Sequence, residues 1–399
     1  MHEQRAWGII NSFSNSRFLT HDASMLNRRE FIGCTAASVF TSGIAPAILG
    51  AEDKSSTQPT IIGQGDFQFE CDHHWGEVPD HITWKNTHGV AVDRSGFVYI
   101  THQGDAQKPC DTVVVFDELG AFVRSFGKEF SGGGHGIDIR REGDEEFLYL
   151  CDIHNRQVVK CDLNGEWVWK IRYPREPDLY ETVLGFRPTN VCFAPNGDFF
   201  VADGYGSGFI HRYDINGRWI QSWGGSGTQV GKFKTPHGIW LDPRNEDDSQ
   251  IVIADRANAR LQYFSLDGKP KSIIQGIGEE RRERDAATLL AEDGSEISIG
   301  NAIGMSFPAD IDIWEGIMVV SDLHAKVLLF DEENNVIANL GSDLAWTKTV
   351  LGNPTFRTDP AKWENGKFIH PHDACFDIDG NIIVTEWVEP GRITKLNWV

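Results

Sequence analysis

From residue 61 onward, apolar and polar positions alternate in short runs, and each run is cut off by a turn containing Gly, Asp or Asn. Alternation with a period of two marks strands that bury one face, and turn residues between the runs mark reversals. The run THGVAVDRSGFVYITHQ followed by VVVFDELGAFVRSFG reads as four strands, at 89–92, 97–101, 112–117 and 121–126, with turns at Asp93–Gly96 and Glu118–Gly120. The same unit returns from HGIDIR (135–140), NVCFAP (190–195), HGIWLD (237–242), DIDIWE (310–315) and DACFDI (373–378). Six such units predict an all-β fold, a six-bladed β-propeller with four-stranded blades.

The sixth unit stops after three strands, which would leave an open sheet edge. An isolated strand-like segment at 61–72 supplies the missing outer strand and closes the ring. Two insertions break the rhythm. Residues 278–294 have helix-forming, mixed-charge composition and predict a surface helix. Residues 341–370 are longer than a link between blades requires, and long loops of this kind often carry function.

Composition adds the surroundings. With a formal charge of −21, the chain is a poor partner for nucleic acid or an anionic membrane surface. Seven cysteines without a CxxC pair argue against a cysteine zinc site. Residues 1–51 read as an export leader: Arg28-Arg29 precedes a mildly apolar run ending in small residues, the pattern of a twin-arginine signal, with Met1 or Met25 as its start. Residues 52–60 form a polar linker and 61–399 the propeller domain, so the expected location is periplasmic or extracellular, with no membrane contact once the leader is removed. A protein partner on one propeller face and the oligomeric state are left open.

The candidate chemistry lies where each blade's inner strand begins, since those strands line the central channel. The equivalent positions are His88, His135, Thr189, His237, Ala309 and His372. Blades two, four and six all place histidine there, and alternate blades of a six-fold ring stand about 120° apart. Three imidazoles on one axis suit a zinc ion with one exchangeable position. His88, Gln103 and His370 are expected to line the channel without binding the metal.

The blocks VADGYGSGFIHRYDINGRWIQSWG, GKFKTPHGIWLD, VIADRANARLQYF and PHDACFDIDG resemble the lyase domain of the peptidylglycine amidating enzymes, peptidyl-α-hydroxyglycine α-amidating lyase, built on an NHL-like propeller. The resemblance implies zinc held by His135, His237 and His372, and a structural calcium at Asp373 and the carbonyls of Val90 and Ile137. It also implies Tyr205 as the catalytic base, Arg256 in the site, and a small-molecule or peptide substrate whose carbinolamide C–N bond is broken. Where that family carries an arginine in blade one, this chain reads His102-Gln103-Gly104-Asp105, which leaves an altered substrate open. Its two disulfides are not expected here, since Gly206 and Tyr263 occupy cysteine positions. A non-catalytic propeller that binds a protein or saccharide around a structural metal is the alternative reading, and a calcium-dependent lactonase-like hydrolase a third.

Overall fold

In the computed structural model the described residues are 59–399, except 177, 245–247, 278–286, 291–293 and 295. The expected leader and most of the linker therefore lie outside them. Six sheets, antiparallel except for one parallel pair in the fourth, account for the strands, and the inner strand of each sheet packs on the next until the sixth returns to the first. These inner strands are Thr87–Val92, Gly134–Glu142, Asn190–Phe193, Pro236–Asp242, Pro308–Trp314 and Pro371–Phe376.

The turns explain why one sequence unit folds repeatedly in the same way. Asp117 Oδ1 accepts from the amides of Leu119 and Ala121 at 3.0 and 2.8 Å, and Gly120 takes a φ of 88°. Asp162 with Gly165, Asp214 with Gly217 and Asp377 with Gly380 repeat the device. The carboxylate satisfies turn amides that no strand reaches, and glycine accepts the left-handed backbone without a Cβ clash.

A second repeated device sits at the other end of each hairpin. Asp152, Asp203, Asp255, Asp322 and Glu386 end, or directly follow, the second strands of blades two to six, all almost fully buried. Each accepts backbone amides from neighbouring loops, and four of the five hold the segment that leads into their own inner strand. Asp322, for example, takes those of Ser306 and Phe307 at 2.6 and 2.9 Å. His102 holds the corresponding place in blade one, with its Nδ1 near the Lys85 amide. These side chains lock the loops at the mouth of the channel to the blades beneath.

Closure follows the expected scheme with one correction. Residues 61–72 form not one strand but a hairpin, Ile61–Gln64 and Phe67–Asp72, because Gly65 at φ 60° reverses the chain. Its second arm pairs antiparallel with Arg392–Trp398, Phe69 opposite Trp398, so the sixth sheet joins the two ends of the domain. Phe69 is completely buried among Leu340, Phe368, Ile382 and Leu396.

The surface helix expected over 278–294 is also corrected. Ala287–Leu290 is a strand, paired with Glu296–Ile303, which extends blade four by running parallel to Pro270–Ile277; residues 278–286 lie outside the described set. Glu296–Ile303 takes the open edge of blade four and offers Ala287–Leu290 a row of backbone partners, and pairing outweighs local helix propensity there. The 341–370 insert contains the helix Leu344–Gly352, capped by Asp343, whose Oδ1 accepts from the Ala345 and Trp346 amides. Trp346, Val350 and Phe356 anchor it against Ile369 and Val388.

Candidate metal centre

The inner strands are irregular just where they enter the channel. In blades one, two, four and six the pairing register shifts across the histidine, between Thr87 and Val90, Gly134 and Ile137, Pro236 and Ile239, and Pro371 and Asp373. Such a bulge turns a side chain out of the sheet, here toward the axis. The glycine after the histidine is equally required. A Cβ on Gly136 would lie 2.2 Å from the Thr189 carbonyl oxygen, and one on Gly89 2.7 Å from that of His135. Each His-Gly pair thus lets the next blade's backbone come close, and that backbone orients the imidazole.

The orientation is the same all round the ring. Nδ1 of His88 bonds to Gly134 O at 2.8 Å, that of His135 to Thr189 O at 2.8 Å, that of His237 to Ala309 O at 2.9 Å, and that of His372 to His88 O at 3.1 Å. A carbonyl only accepts, so each Nδ1 carries the proton and each Nε2 presents a lone pair. Burial pushes the His88 imidazole down to about 4 and holds those of His135, His237 and His372 well below the usual range. Neighbouring imidazoles and the Arg256 guanidinium add to the effect. The four rings are therefore neutral at pH 7, the form that ligates metal.

His88 belongs to this ring more closely than its odd blade predicts. The ligand atoms of His88, His135 and His372 lie within 4.8 Å of one another, and His372 Nε2 is buried with no hydrogen-bond partner. His237 stands beside them, its ring centroid 4.6 Å from that of His372 and 5.0 Å from that of His135. Of the three expected ligands, His135 and His372 share the cluster of ligand atoms with His88, and His237 stands beside it by ring contact. An orphaned buried nitrogen amid neutral imidazoles, with no acid in the cluster, fits a nitrogen-preferring ion such as zinc.

Tyr205 and Arg256 meet at the same place. Asp203 receives the amides of Arg187 and Ser207 at 2.6 and 2.7 Å and fixes the turn that carries Tyr205. The Tyr205 hydroxyl lies 3.0 Å from His237 Nε2 and 3.4 Å from His135 Nε2, and Arg256 Nη1 donates to it at 3.3 Å. Arg256 does not pair with Asp255, which takes Arg260 at 2.7 Å instead. This frees Arg256 to face the site, its guanidinium 5.2 Å from the Tyr205 ring centroid.

The remaining expected residues divide. Gln103 lines a cavity at the mouth, where its Oε1 accepts from Asn86 at 2.8 Å. His370 is turned to Leu323 O at 2.7 Å and makes no bond to the ring. Val90, Ile137 and Asp373 line a second cavity of about 520 Å³, and Asp373 Oδ2 accepts from the Val90 amide at 2.9 Å. The same cavity holds Asp138, Asp310 and Asp312, which the sequence reading passed over although HGIDI and PADIDI display them. Burial pushes Asp312 up to about 6 and Asp373 up to about 7, with Asp138 and Asp310 well above the carboxylate range. Five buried carboxylates line it, Asp377 already paired with Lys395 at 3.1 Å; the other four, with one exposed arginine, Arg141, among the described lining residues, fit an oxygen-ligated cation such as calcium.

The six cysteines among the described residues are all free. No protein-family model matches the chain. It is 31% identical over 289 residues to peptidyl-alpha-hydroxyglycine alpha-amidating lyase 1 of Drosophila melanogaster, a match covering 68% of this chain and 45% of that protein. To the peptidylglycine alpha-amidating monooxygenase of Rattus norvegicus it is 29% identical over 231 residues, 51% of this chain. That match spans 23% of the rat protein's own length. Among solved structures, a streptogramin B lyase superposes with a TM-score of 0.50 at 13% identity, over 83% of this chain and 98% of that one, a likeness of fold alone. By sequence and by architecture, the chain is an amidating-lyase-like six-bladed β-propeller.

Proposed function

We propose that the chain is a zinc-dependent carbon–nitrogen lyase acting on an N-acyl-α-hydroxyglycine, with calcium as a structural ion. The observation that carries this reading is the Tyr205 hydroxyl, held between His237 Nε2 and Arg256 Nη1 at the edge of the imidazole ring. His135, His237 and His372, joined by His88, would hold the zinc, which when bound supplies a Lewis acid for the carbinol and carbonyl oxygens. Asp373, with Asp138, Asp310 and Asp312, would hold the calcium.

The chain's own residues do the rest. Arg256, whose guanidinium has no carboxylate partner among the described salt bridges, holds the Tyr205 oxygen at the edge of the imidazole ring. The oxygen of Tyr205 takes the proton of the carbinol hydroxyl as its own hydroxyl proton passes toward the leaving nitrogen. The O–H electron pair becomes the new C=O bond, the C–N pair leaves on nitrogen, and the proton is delivered there. The products are an aldehyde acid and a primary amide, with no oxidant consumed.

The test is glyoxylate release from benzoyl-α-hydroxyglycine by the full chain loaded with zinc. Turnover that disappears on chelation and returns with zinc supports the reading. Absence of both bound zinc and glyoxylate overturns it.

A further inference from the structure

The 341–370 insert has so far no role, yet it brings one charged side chain to the channel. Arg357 follows the buried anchor Phe356 and crosses to blade one, where its Nη2 donates to Asn86 Oδ1 at 2.5 Å. Its Nε donates to the Trp387 carbonyl at 3.3 Å, and its guanidinium carbon lies 3.4 Å from the Trp387 ring centroid. Three contacts from two blades therefore fix the fork. Its Nη1 has no acceptor among the described residues, and no carboxylate lies within ion-pair distance. A half-buried guanidinium held rigidly but left without an ion pair, with Glu389 in the same cavity beyond contact distance, can receive an anion.

Its location ties it to the site. Asn86 stands two residues before His88, in the left-handed region at φ 46°, and its amide group bridges Arg357 to Gln103. Backbone strain of this kind persists where surrounding contacts hold it, often beside a functional centre. Arg357, Asn86, Gln103, Lys85 and His154 line a polar cavity of about 440 Å³. Of the other charged groups there, Lys85 pairs with Glu389 at 3.8 Å, while Asp105 keeps its charge and accepts the amide of Gln107 in its own turn. The formal charges of Lys85, Arg357, Asp105 and Glu389 cancel, so the cavity is neutral as a whole around a guanidinium that has no ion pair of its own. That arrangement favours a planar monoanion over a phosphate dianion.

We infer that Arg357 is a specificity-determining residue, supplied by the insert, that receives the carboxylate of the substrate at the mouth of the imidazole ring. The inference rests on the lyase reading above, which supplies the carboxylate-bearing substrate class. The insert thereby acts as a recognition element contributed from outside the blade repeat.

The test is binding, separate from turnover. Benzoylglycine, which carries the carboxylate but no carbinol, and benzoylglycinamide, which lacks the charge, are titrated calorimetrically into the zinc-loaded full chain. Arg357→Gln is expected to weaken benzoylglycine about ten- to hundredfold, the effect of a lost charge-assisted bond, and to leave benzoylglycinamide within about twofold. Arg357→Lys, which keeps the charge without the fork, is expected to fall between the wild type and Arg357→Gln. This second variant also serves if Arg357→Gln melts early. Equal benzoylglycine binding in wild type and variants, equal weakening of both probes, or no binding by the wild type overturns the inference. Selective loss of benzoylglycine in a protein that releases no glyoxylate would uphold the anion subsite and sink only the lyase reading.

Discussion

Replacing Tyr205 with phenylalanine removes one atom, and the structure states what that atom does. The hydroxyl bonds to His237 Nε2 at 3.0 Å, approaches His135 Nε2 at 3.4 Å and receives Arg256 Nη1 at 3.3 Å. The ring itself packs edge-on against His135 and His237, with centroids 5.1 and 5.3 Å away, and Phe keeps those contacts. Stability should therefore change by no more than one hydrogen bond, about 1 kcal/mol. For a domain of this size that is about 1.4 °C in Tm, from roughly 2.1 cal/mol/K of unfolding entropy per residue. Catalysis should change far more. A positioned proton acceptor contributes about a hundred- to ten-thousandfold, so kcat for glyoxylate release should fall by that factor. Bound zinc should stay the same, because the imidazoles remain and their Nδ1 bonds are untouched. The assay is steady-state glyoxylate release, with zinc content and Tm measured on the same preparation. A Tyr205→Phe protein with normal zinc and kcat within about threefold of wild type would refute the assignment, since that lies far below the acid–base range.

His88→Ala should weaken zinc binding by about tenfold or more in chelator competition, as loss of a group that shapes a metal site does, and unchanged affinity would remove His88 from the ligand set. Phe69→Ala empties a completely buried site where the two chain ends meet, and should cost about 3–5 kcal/mol, or roughly 5 °C in Tm; a shift below about 1 °C would mean the closing hairpin contributes little. Burial pushes Asp203 up to about 6 from an ordinary value of 3.8, so the folded state takes its proton more readily than the unfolded chain. That contribution is complete below about pH 4 and lost as pH rises through about 6, so the wild type's margin over Asp203→Asn should narrow across this window by up to about 3 kcal/mol in urea titrations. A margin independent of pH would exclude Asp203 as the titrating group. Changing Arg28 and Arg29 to Lys should hold the precursor in the cytoplasm during cell fractionation; unaltered export would discard the twin-arginine reading.

Much of the fold could be read because each element answers to a local rule. Asp-x-x-Gly turns announce hairpins in blades one, two, three and six, and a sixth unit one strand short implies an outside donor. The hairpin at 61–72 was read as one strand because Gly65-Asp66 is a weak turn signal inside an alternating pattern. The 278–294 segment differs for another reason: its composition favours helix, while the strand at 287–290 pairs with 296–303, which in turn depends on the free edge of blade four, and no local window contains that edge. The site divides in the same way. His135, His237, His372, Tyr205 and Arg256 lie at repeat-equivalent or motif positions and do converge. His88 was set aside by assuming strict six-fold geometry, whereas the bulges bring its ligand atom within 4.8 Å of its neighbours'. Arg357 carries no sequence signal, since its meaning depends on Trp387 and Asn86, distant in the chain.

The register of the inner strands also explains how one channel separates two kinds of donor. Imidazoles occupy the entry position of four blades, and carboxylates follow one or three residues later: Asp373 after His372, Asp138 after His135, and Asp310 and Asp312 after Ala309. One residue of strand advances about 3.3 Å and three about 10 Å, so the oxygen donors lie deeper along the same axis than the nitrogen donors, Asp138 and Asp312 deepest. Glycine follows the histidine in blades one, two and four, where the neighbouring backbone leaves no room for a Cβ. In blade six Asp373 stands in that place and turns the constraint into a bond with the Val90 amide. A nitrogen-preferring and an oxygen-preferring ion can thus be sorted by depth alone. Exchanging the two levels, by His135→Asp with Asp138→His, should abolish zinc binding without creating a second zinc site, because only the entry position has a carbonyl fixing Nδ1. Zinc bound to that double variant at wild-type affinity would show that the ring tolerates a carboxylate and that depth does not do the sorting.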